Sequence, residues 1–397
     1  MKVKICFITS TIFNLGGVQR VLSVVASELS KFHDVDILCT DNSYEINREL
    51  YDLELGVNVI FGQDLIKKNF FQKALYGVIK KINFKTGFLN NKKNINTLTE
   101  IYYPKKIQDK FIDYLNKKNY DIVIGVEGIY SLLLGIISDK LNSKTIGWQH
   151  NCYEAYLKNE GRYYWNQNEL FNKYIPNLDE YIVLTKNDQE MFLKENNIDC
   201  KVIYNPKSFS SAKKSKLEKK QFLAAGRFTY QKGFDLLIES FNEFSKINSE
   251  WNLVIVGEGD EKEQINELIK KYNLFDRIRI DDFTDDIKKY FCESSILLLP
   301  SRWEGMPMIV LESLEMGVPV ISYDIPAIQP LITNNKEGLI VEKFNTRNFA
   351  LAMNILAKDS KKLREFACNA ITKSEEFSLD SIVSRWNYIF EEMLKNK

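Results

Sequence analysis

Ser295-Ile-Leu-Leu-Leu-Pro-Ser-Arg-Trp-Glu-Gly-Met-Pro-Met-Ile-Val-Leu-Glu312 reads as a buried strand, a short Gly/Pro loop and then a helix. Pro307 suits the first helical turn, where its missing N–H is no loss. Gly317 suits the far end, where the chain must leave the helix. Glu304 then stands on the loop before a helix N-terminus and Glu312 inside the helix, with seven residues between them. Glu312 is hemmed in by Ile309, Val310, Leu311 and Leu314, so its carboxylate needs a hydrogen-bonded partner, which a ligand hydroxyl can supply. The helix N-terminus beside Glu304 suits phosphate. Two carboxylates at this spacing also occur on ordinary solvated helices. The strand–loop–helix switch in an α/β chain is what favours a ligand site.

Working outward, apolar strand-like runs alternate with helical patterns almost throughout. Strands are expected over 3–9, 35–40, 57–61, 121–126, 145–148, 181–185 and 202–204 in the first half. In the second half they are expected over 221–225, 252–256, 277–280, 295–299, 319–322 and 338–341. Helices are expected over 18–31, 234–246, 261–272 and 307–316, among others. Near-continuous apolar strands separated by helices imply an α/β fold with parallel sheets covered on both faces. At 397 residues, two domains are expected. The polar, charge-dense stretch 206–220 reads as a solvated linker between them. The last helical pattern carries Ile382, Trp386, Ile389, Phe390 and Met393 at helical spacing and should dock on a domain surface.

Composition is that of a soluble globular protein, 45% hydrophobic and 27% charged. A net charge of +1 gives no global case for nucleic acid. The six cysteines are scattered without metal or redox spacing and read as small thiols in a reducing cytosol. The longest apolar run, 129–138, is far short of a membrane span. The apolar N-terminus breaks at Asn14 and reads as a first strand rather than a signal peptide.

Several strand ends carry candidate chemistry. Ser10-Thr-Ile-Phe-Asn-Leu-Gly-Gly17 puts Gly16 and Gly17 before a helix, where a ligand can approach the backbone or the chain can simply turn. Gly226-Arg-Phe-Thr-Tyr-Gln-Lys-Gly233 places Arg227 and Lys232 on one loop, either as a diphosphate clamp or as two exposed cations. Trp251-Asn-Leu-Val-Ile-Val-Gly-Glu-Gly259 ends a strand in only part of a dinucleotide fingerprint, with Lys262 where the third glycine belongs. That disfavours an NAD(P)-dependent oxidoreductase but leaves room for a nucleotide at Gly257. His150, followed by Asn151, stands at a strand end and could bond a sugar hydroxyl or be a satisfied polar residue; Glu127 and Asn205 hold similar places. His33 reads as structural or exposed. Asp281, Asp282, Asp285 and Asp286 flank a turn before a helix, where capping explains them and no metal is expected.

Residues 65–93 hold Lys67, Lys68, Lys73, Lys80, Lys81, Lys85, Lys92 and Lys93 without an acidic residue, interleaved with Leu65, Ile66, Phe70, Phe71, Leu75, Val78, Ile79, Ile82 and Phe84. The pattern fits a helix in an anionic membrane interface and, equally, a helix packed on its own domain with solvated lysines.

Taken in order, the segments 225–237, 254–259 and 300–320 resemble the retaining GT-B glycosyltransferases of the family 4, or group 1, type. Residues 16–20 are similar to that family's N-terminal glycine loop. The resemblance implies two facing Rossmann-like domains: residues 1–206 binding the acceptor, 207–375 binding the nucleotide-sugar donor, and a C-terminal helix, 376–397, crossing back to the first. It implies that Arg227 and Lys232 hold the donor diphosphate, Glu304 the donor sugar's hydroxyls and Glu312 the ribose. Main-chain groups from Gly305 through Met306 and Pro307 to Met308 would complete that pocket. Gly16 and Gly17 would approach phosphate or acceptor, and His150 would lie near the donor sugar. Glu127, Asn151 and Asn205 would be acceptor-side or cleft residues.

The expected reaction is metal-independent transfer of a hexose or N-acetylhexosamine from a nucleotide diphosphate sugar, UDP by family habit. The expected acceptor is a growing or polyprenyl-diphosphate-linked saccharide in bacterial surface glycan assembly. Neither cofactor nor nucleic acid is implied. The expected place is the cytoplasm or the inner face of its membrane. Tyr204-Asn-Pro-Lys207 and Gln149-His150-Asn151 depart from the commoner family forms, which bears on sugar identity. A non-catalytic sugar-binding scaffold is the rival reading, disfavoured by the presence of Arg227, Lys232, Glu304 and Glu312 together.

Overall fold

The computed structural model describes residues 2–67 and 70–395. The chain divides into two compact units, residues 1–204 with 382–397, and residues 205–381.

The first unit is built on seven parallel strands: β1 (Lys4–Thr9), β2 (Asp34–Cys39), β3 (Val57–Phe61), β4 (Ile122–Val126), β5 (Lys144–Trp148), β6 (Glu180–Val183) and β7 (Lys201–Val202). Their order is β3-β2-β1-β4-β5-β6-β7. Right-handed crossovers through helices wind such a sheet outward in two directions from its first strand. The order therefore reverses between β1 and β4, and a crevice opens beyond their carboxyl ends. Ile5, Phe7, Ile122, Ile124 and Ile146 are fully buried, because both faces of the sheet are covered. The apolar run around Ile129 lies in the helix Glu127–Ile137, most of which is buried core. The helix Leu379–Lys395 buries Ile382, Trp386, Ile389, Phe390 and Met393. Its Trp386 meets Trp148 edge-on at 5.0 Å, and Asn387 bonds His33 Nε2 at 2.9 Å. His33 also accepts the Val3 N–H at Nδ1 and is structural.

The second unit repeats the design with six parallel strands: β8 (Gln221–Ala225), β9 (Asn252–Val256), β10 (Ile278–Asp281), β11 (Ile296–Leu299), β12 (Val320–Tyr323) and β13 (Gly338–Val341). Their order is β10-β9-β8-β11-β12-β13, with its reversal between β8 and β11. Register is set at residues such as Phe222, opposite Leu253 on one side and Ile296 on the other.

All six cysteines are free, four of them buried. No helix among the described residues is long and apolar enough to cross a membrane.

Candidate active site

In the second unit two loops leave the switch point, one after β8 and one after β11. Gly233 ends the first with φ +66°, and a Cβ there would come within 2.2 Å of the Pro300 carbonyl oxygen. Only glycine lets these loops approach so closely. The contact sets Lys232 Nζ 2.6 Å from Glu304 Oε1, which also accepts the Ser301 hydroxyl at 2.7 Å. Both bonds go to Oε1. Oε2 has no hydrogen-bond partner among the described residues, although Glu304 is buried.

Arg302 locks the loops further. Its guanidinium forks onto Asp235 at 2.6 and 2.9 Å and lies 3.8 Å over the Tyr230 ring. Its backbone N–H bonds the Gln231 carbonyl at 2.8 Å. A fork of this kind fixes orientation as well as distance. Arg227, on the first of these loops, is exposed and makes no ion pair among the described residues. It is brought to the same loop as Lys232 but not into contact with Glu304.

The helix after the second loop runs Met308–Glu315. Pro307 is its N-cap, with φ −73° and ψ 112°, rather than a residue of the first turn as expected. Pro307 has no hydroxyl or carboxylate to cap with, so the first-turn N–H groups receive no side-chain cap and suit an anion. Gly305 and Met306 are buried beside it. Asn205 donates from Nδ2 to the Met306 carbonyl at 3.3 Å, and its backbone N–H meets Met306 Sδ at 3.0 Å. Asn205 is thus brought to the loop expected to hold the donor.

Glu312 is buried and accepts the Ser208 hydroxyl at 2.6 Å. One turn on, Glu315 was not among the expected site residues. It is only 2% exposed and binds Lys207 at 2.6 Å, Lys214 at 2.5 Å and the Ser211 N–H at 2.8 Å. Burial raises the Glu315 carboxyl, but the bonds from Lys207 and Lys214 outweigh it and hold the group below its usual range. This corrects the solvated linker. The start of that stretch is bound to the helix, because a buried carboxylate requires paired cations. The lysine-rich composition of 207–220 was the signal, and its partner was Glu315.

Gly257 also receives a different reason. Its φ is +153°, and a Cβ would lie 2.0 Å from the Gly226 carbonyl oxygen. The close approach it permits is made by the neighbouring loop. Three of the four aspartates at and beyond the end of β10 do not cap. Asp286 makes no side-chain cap bond, Asp282 pairs with Lys262, and Asp281 binds Arg279 and Tyr290. Among the described residues no three His, Cys, Asp or Glu side chains gather as a metal site.

In the first unit the carboxyl ends of β1, β4 and β5 bring together another set. The Gly16 N–H bonds Tyr51 Oη at 2.8 Å, and Gly16 with Gly17 opens the helix Gly17–Ser30. Tyr130 Oη meets Ser10 Oγ at 3.3 Å and Thr40 Oγ1. Glu127 follows β4 directly, with φ +65°. His150 follows β5 and packs on Trp148 at 4.2 Å. Its Nε2 is buried without a hydrogen-bond partner among the described residues. Burial pushes its pKa down to about 3, so the ring is neutral near pH 7. Asn151 donates to Tyr163 Oη at 2.7 Å.

Residues 207–373 match the family described as glycosyl transferases group 1. An uncharacterized glycosyltransferase of Haemophilus influenzae is 26% identical over 97% of this chain and 99% of its own length. Residues 207–373 are thus similar to a group 1 glycosyltransferase domain. A Campylobacter jejuni relative, 26% identical over 98% of this chain and 99% of its own, is named an alpha-1,4-N-acetyl-D-galactosaminyltransferase for a PP-undecaprenol-linked saccharide. The fold agrees with that of an S. aureus TarM variant solved with fondaparinux, alpha-GlcNAc-glycerol and UDP. The TM-score is 0.75 at 16% identity, over 98% of this chain and 99% of that one. The two Rossmann-like units are those of the GT-B architecture, and the stretch matched by the family holds Lys232, Glu304 and Glu312.

Proposed function

We propose that this glycosyltransferase moves a hexose or N-acetylhexosamine from a UDP-sugar to a lipid-linked or growing saccharide in bacterial surface glycan assembly. The carrying observation is Glu304, a buried carboxylate held at Oε1 by Lys232 and Ser301, whose Oε2 is available to a sugar hydroxyl. The UDP in the TarM structure and the lipid-linked acceptor in the C. jejuni name support this choice of substrates.

In this reading the second unit holds the donor. Glu304 accepts from the sugar, and Glu312 accepts from the ribose. The diphosphate lies against Lys232, Arg227 and the uncapped main chain at Gly305 to Met308. The bond from the sugar's anomeric carbon to the diphosphate oxygen breaks. The acceptor hydroxyl oxygen bonds that carbon, and its proton passes to the leaving phosphate. Attack on the face the diphosphate leaves would retain configuration. Lys232 and Arg227 would offset the charge that builds on the diphosphate, without a metal. The neutral His150 would serve as a hydrogen-bonding group rather than an acid.

The test is nucleotide release from UDP-, GDP- and ADP-sugars with EDTA present. Release from a UDP-sugar, lowered on the order of a hundredfold in Glu304→Gln, is expected. Release only from another nucleotide's sugar, or release abolished by EDTA, overturns the corresponding part of the reading.

The helix Phe70–Thr86 supports work at the membrane's cytoplasmic face. Lys68 lies outside the described residues. Tyr76 and Ile79 pack on the core, and Asn83, fully buried, donates to the Asn166 carbonyl. On the adjacent stripe Leu75, Val78 and Ile82 are 59, 57 and 47% exposed, with Lys73, Lys81 and Lys85 also exposed. Both sequence readings of this stretch thus have a stripe of their own. An anionic bilayer matches the outer one by charge and by apolar surface. Sedimentation with phosphatidylglycerol-containing vesicles should fall about tenfold when Leu75, Val78 and Ile82 become serine; equal binding to pure phosphatidylcholine would count against it.

A further inference from the structure

One turn of the helix Met308–Glu315 carries two buried carboxylates, Glu312 and Glu315, each 2% exposed. They meet different partners. Glu315 is an anchor. Its Oε2 accepts from Lys207 Nζ at 2.6 Å, and its Oε1 accepts from Lys214 Nζ at 2.5 Å and the Ser211 N–H at 2.8 Å. Both ends of the segment 207–215 are thereby fixed to the helix, since the Ser215 N–H also bonds the Met316 carbonyl at 2.9 Å. Lys207 is held from a second side. Its Nζ reaches Glu375 at 2.8 Å, and its N–H bonds the Phe377 carbonyl at 2.9 Å. A buried cation shared between two carboxylates has little freedom to swing. The next residue, Ser208, starts from that fixed backbone, and its hydroxyl donates to Glu312 Oε1 at 2.6 Å. That is the short distance of a charge-assisted bond. A carboxylate gripped at one oxygen cannot turn about its last side-chain bond, so its second oxygen keeps one direction.

We propose that Ser208 is a positioning residue for Glu312: clamped beside the Lys207–Glu315 pair, its hydroxyl aims the carboxylate at the ribose of the donor nucleotide and so sets selectivity for the ribose hydroxyls. This rests on the donor reading above, which gives Glu312 the ribose but does not say what aims it. Serine suits the task. Its hydroxyl supplies one donor without adding a charge, so it orders the carboxylate while leaving its attraction for ligand hydroxyls in place. A lysine at this position would compete for that attraction, as Lys207 and Lys214 do at Glu315.

Calorimetry with UDP and with its analogue lacking both ribose hydroxyls tests it. The unmodified protein should bind UDP about thirtyfold more tightly than the analogue. In Ser208→Ala that ratio should shrink about fivefold, entirely through weaker UDP binding, and Ser208→Thr, which keeps the hydroxyl, should preserve it. In a Glu312→Ala background, Ser208→Ala should have no further effect, because its target is gone. Circular dichroism identifies the folded variants. Should Ser208→Ala unfold, Ser208→Val against Ser208→Thr, equal in shape, carries the test. Equal weakening of both nucleotides, a ratio unchanged in folded Ser208→Ala, or an undiminished effect in the Glu312→Ala background overturns the positioning role. An unmodified protein that binds UDP and the analogue equally, or binds neither, overturns the donor reading itself, and the positioning role with it.

Discussion

Between β8 and β11 the second unit sets Lys232 against Glu304 and Arg302 against Asp235. At the corresponding place in the first unit, around β1, β4 and β5, stand Ser10, Thr40, Tyr130, Glu127 and a neutral His150. One topology has produced two crevices of opposite character. A crevice for a diphosphate must present cations, and cations withdrawn in part from water need carboxylates beside them. A crevice for a neutral saccharide needs apolar faces and hydroxyl partners, which tyrosines and amides provide.

The sharpest way to break this contrast is to remove one charge from the second unit. Lys232→Met leaves Glu304 buried without its cation, and about 3 kcal/mol of stability should be lost. Nucleotide release should fall on the order of a hundredfold. Adding Glu304→Gln should restore much of the stability and none of the activity, measured by urea denaturation and nucleotide release on the same samples. Equal activity in Lys232→Met would mean that the pair is structural and that the crevice is not a diphosphate site.

A smaller effect is expected at Arg302, which positions the loops through Asp235 and Tyr230. Arg302→Lys keeps the charge but loses the fork and the flat stacking. Donor KM should rise about tenfold with kcat less affected, since a point cation cannot hold both Asp235 oxygens. A purely structural role would lower the melting temperature without the KM change.

The two units also differ in what their sequences disclosed. Strands such as β8, β9 and β13 stand where the apolar runs placed them, because a largely buried parallel strand is a nearly unbroken apolar run. The loops of Lys232 and Glu304 were legible because strand ends, glycines and charges fall close together in the chain. Their locks were not. Arg302 meets Asp235 across 67 positions and Lys207 meets Glu315 across 108, and periodicity carries no signal over such separations. In the first unit, Glu127, His150 and Asn151 were visible as polar residues at strand ends. Tyr163, which accepts from Asn151, was not, since an exposed tyrosine in an irregular loop looks like any other.

The smallest expected effect concerns pH, and here the neutral unit hides two opposed groups. His150 has its pKa pushed down to about 3 by burial, so below pH 6.5 the unfolded chain takes up a proton that the folded one refuses. Stability is therefore lost as pH falls through that window. Asp188 accepts the Thr185 hydroxyl at 2.6 Å and the Tyr153 N–H at 2.7 Å, yet burial raises it to about 6. Its folded form keeps a proton that the unfolded form has released, so it adds stability as pH falls from 6 toward 4. Between pH 6 and 5 the two slopes largely cancel, and Glu315, held below its usual range, does not yet titrate. Asp188→Asn removes one of them. The first unit of that variant should lose up to about 1 kcal/mol between pH 6 and pH 5, while the unmodified protein changes little. Hydrogen exchange of the β4 and β5 amides reads this unit without the other. A variant as flat as the unmodified protein would mean that His150 is protonated in the folded state, and the first crevice would then carry a cation after all.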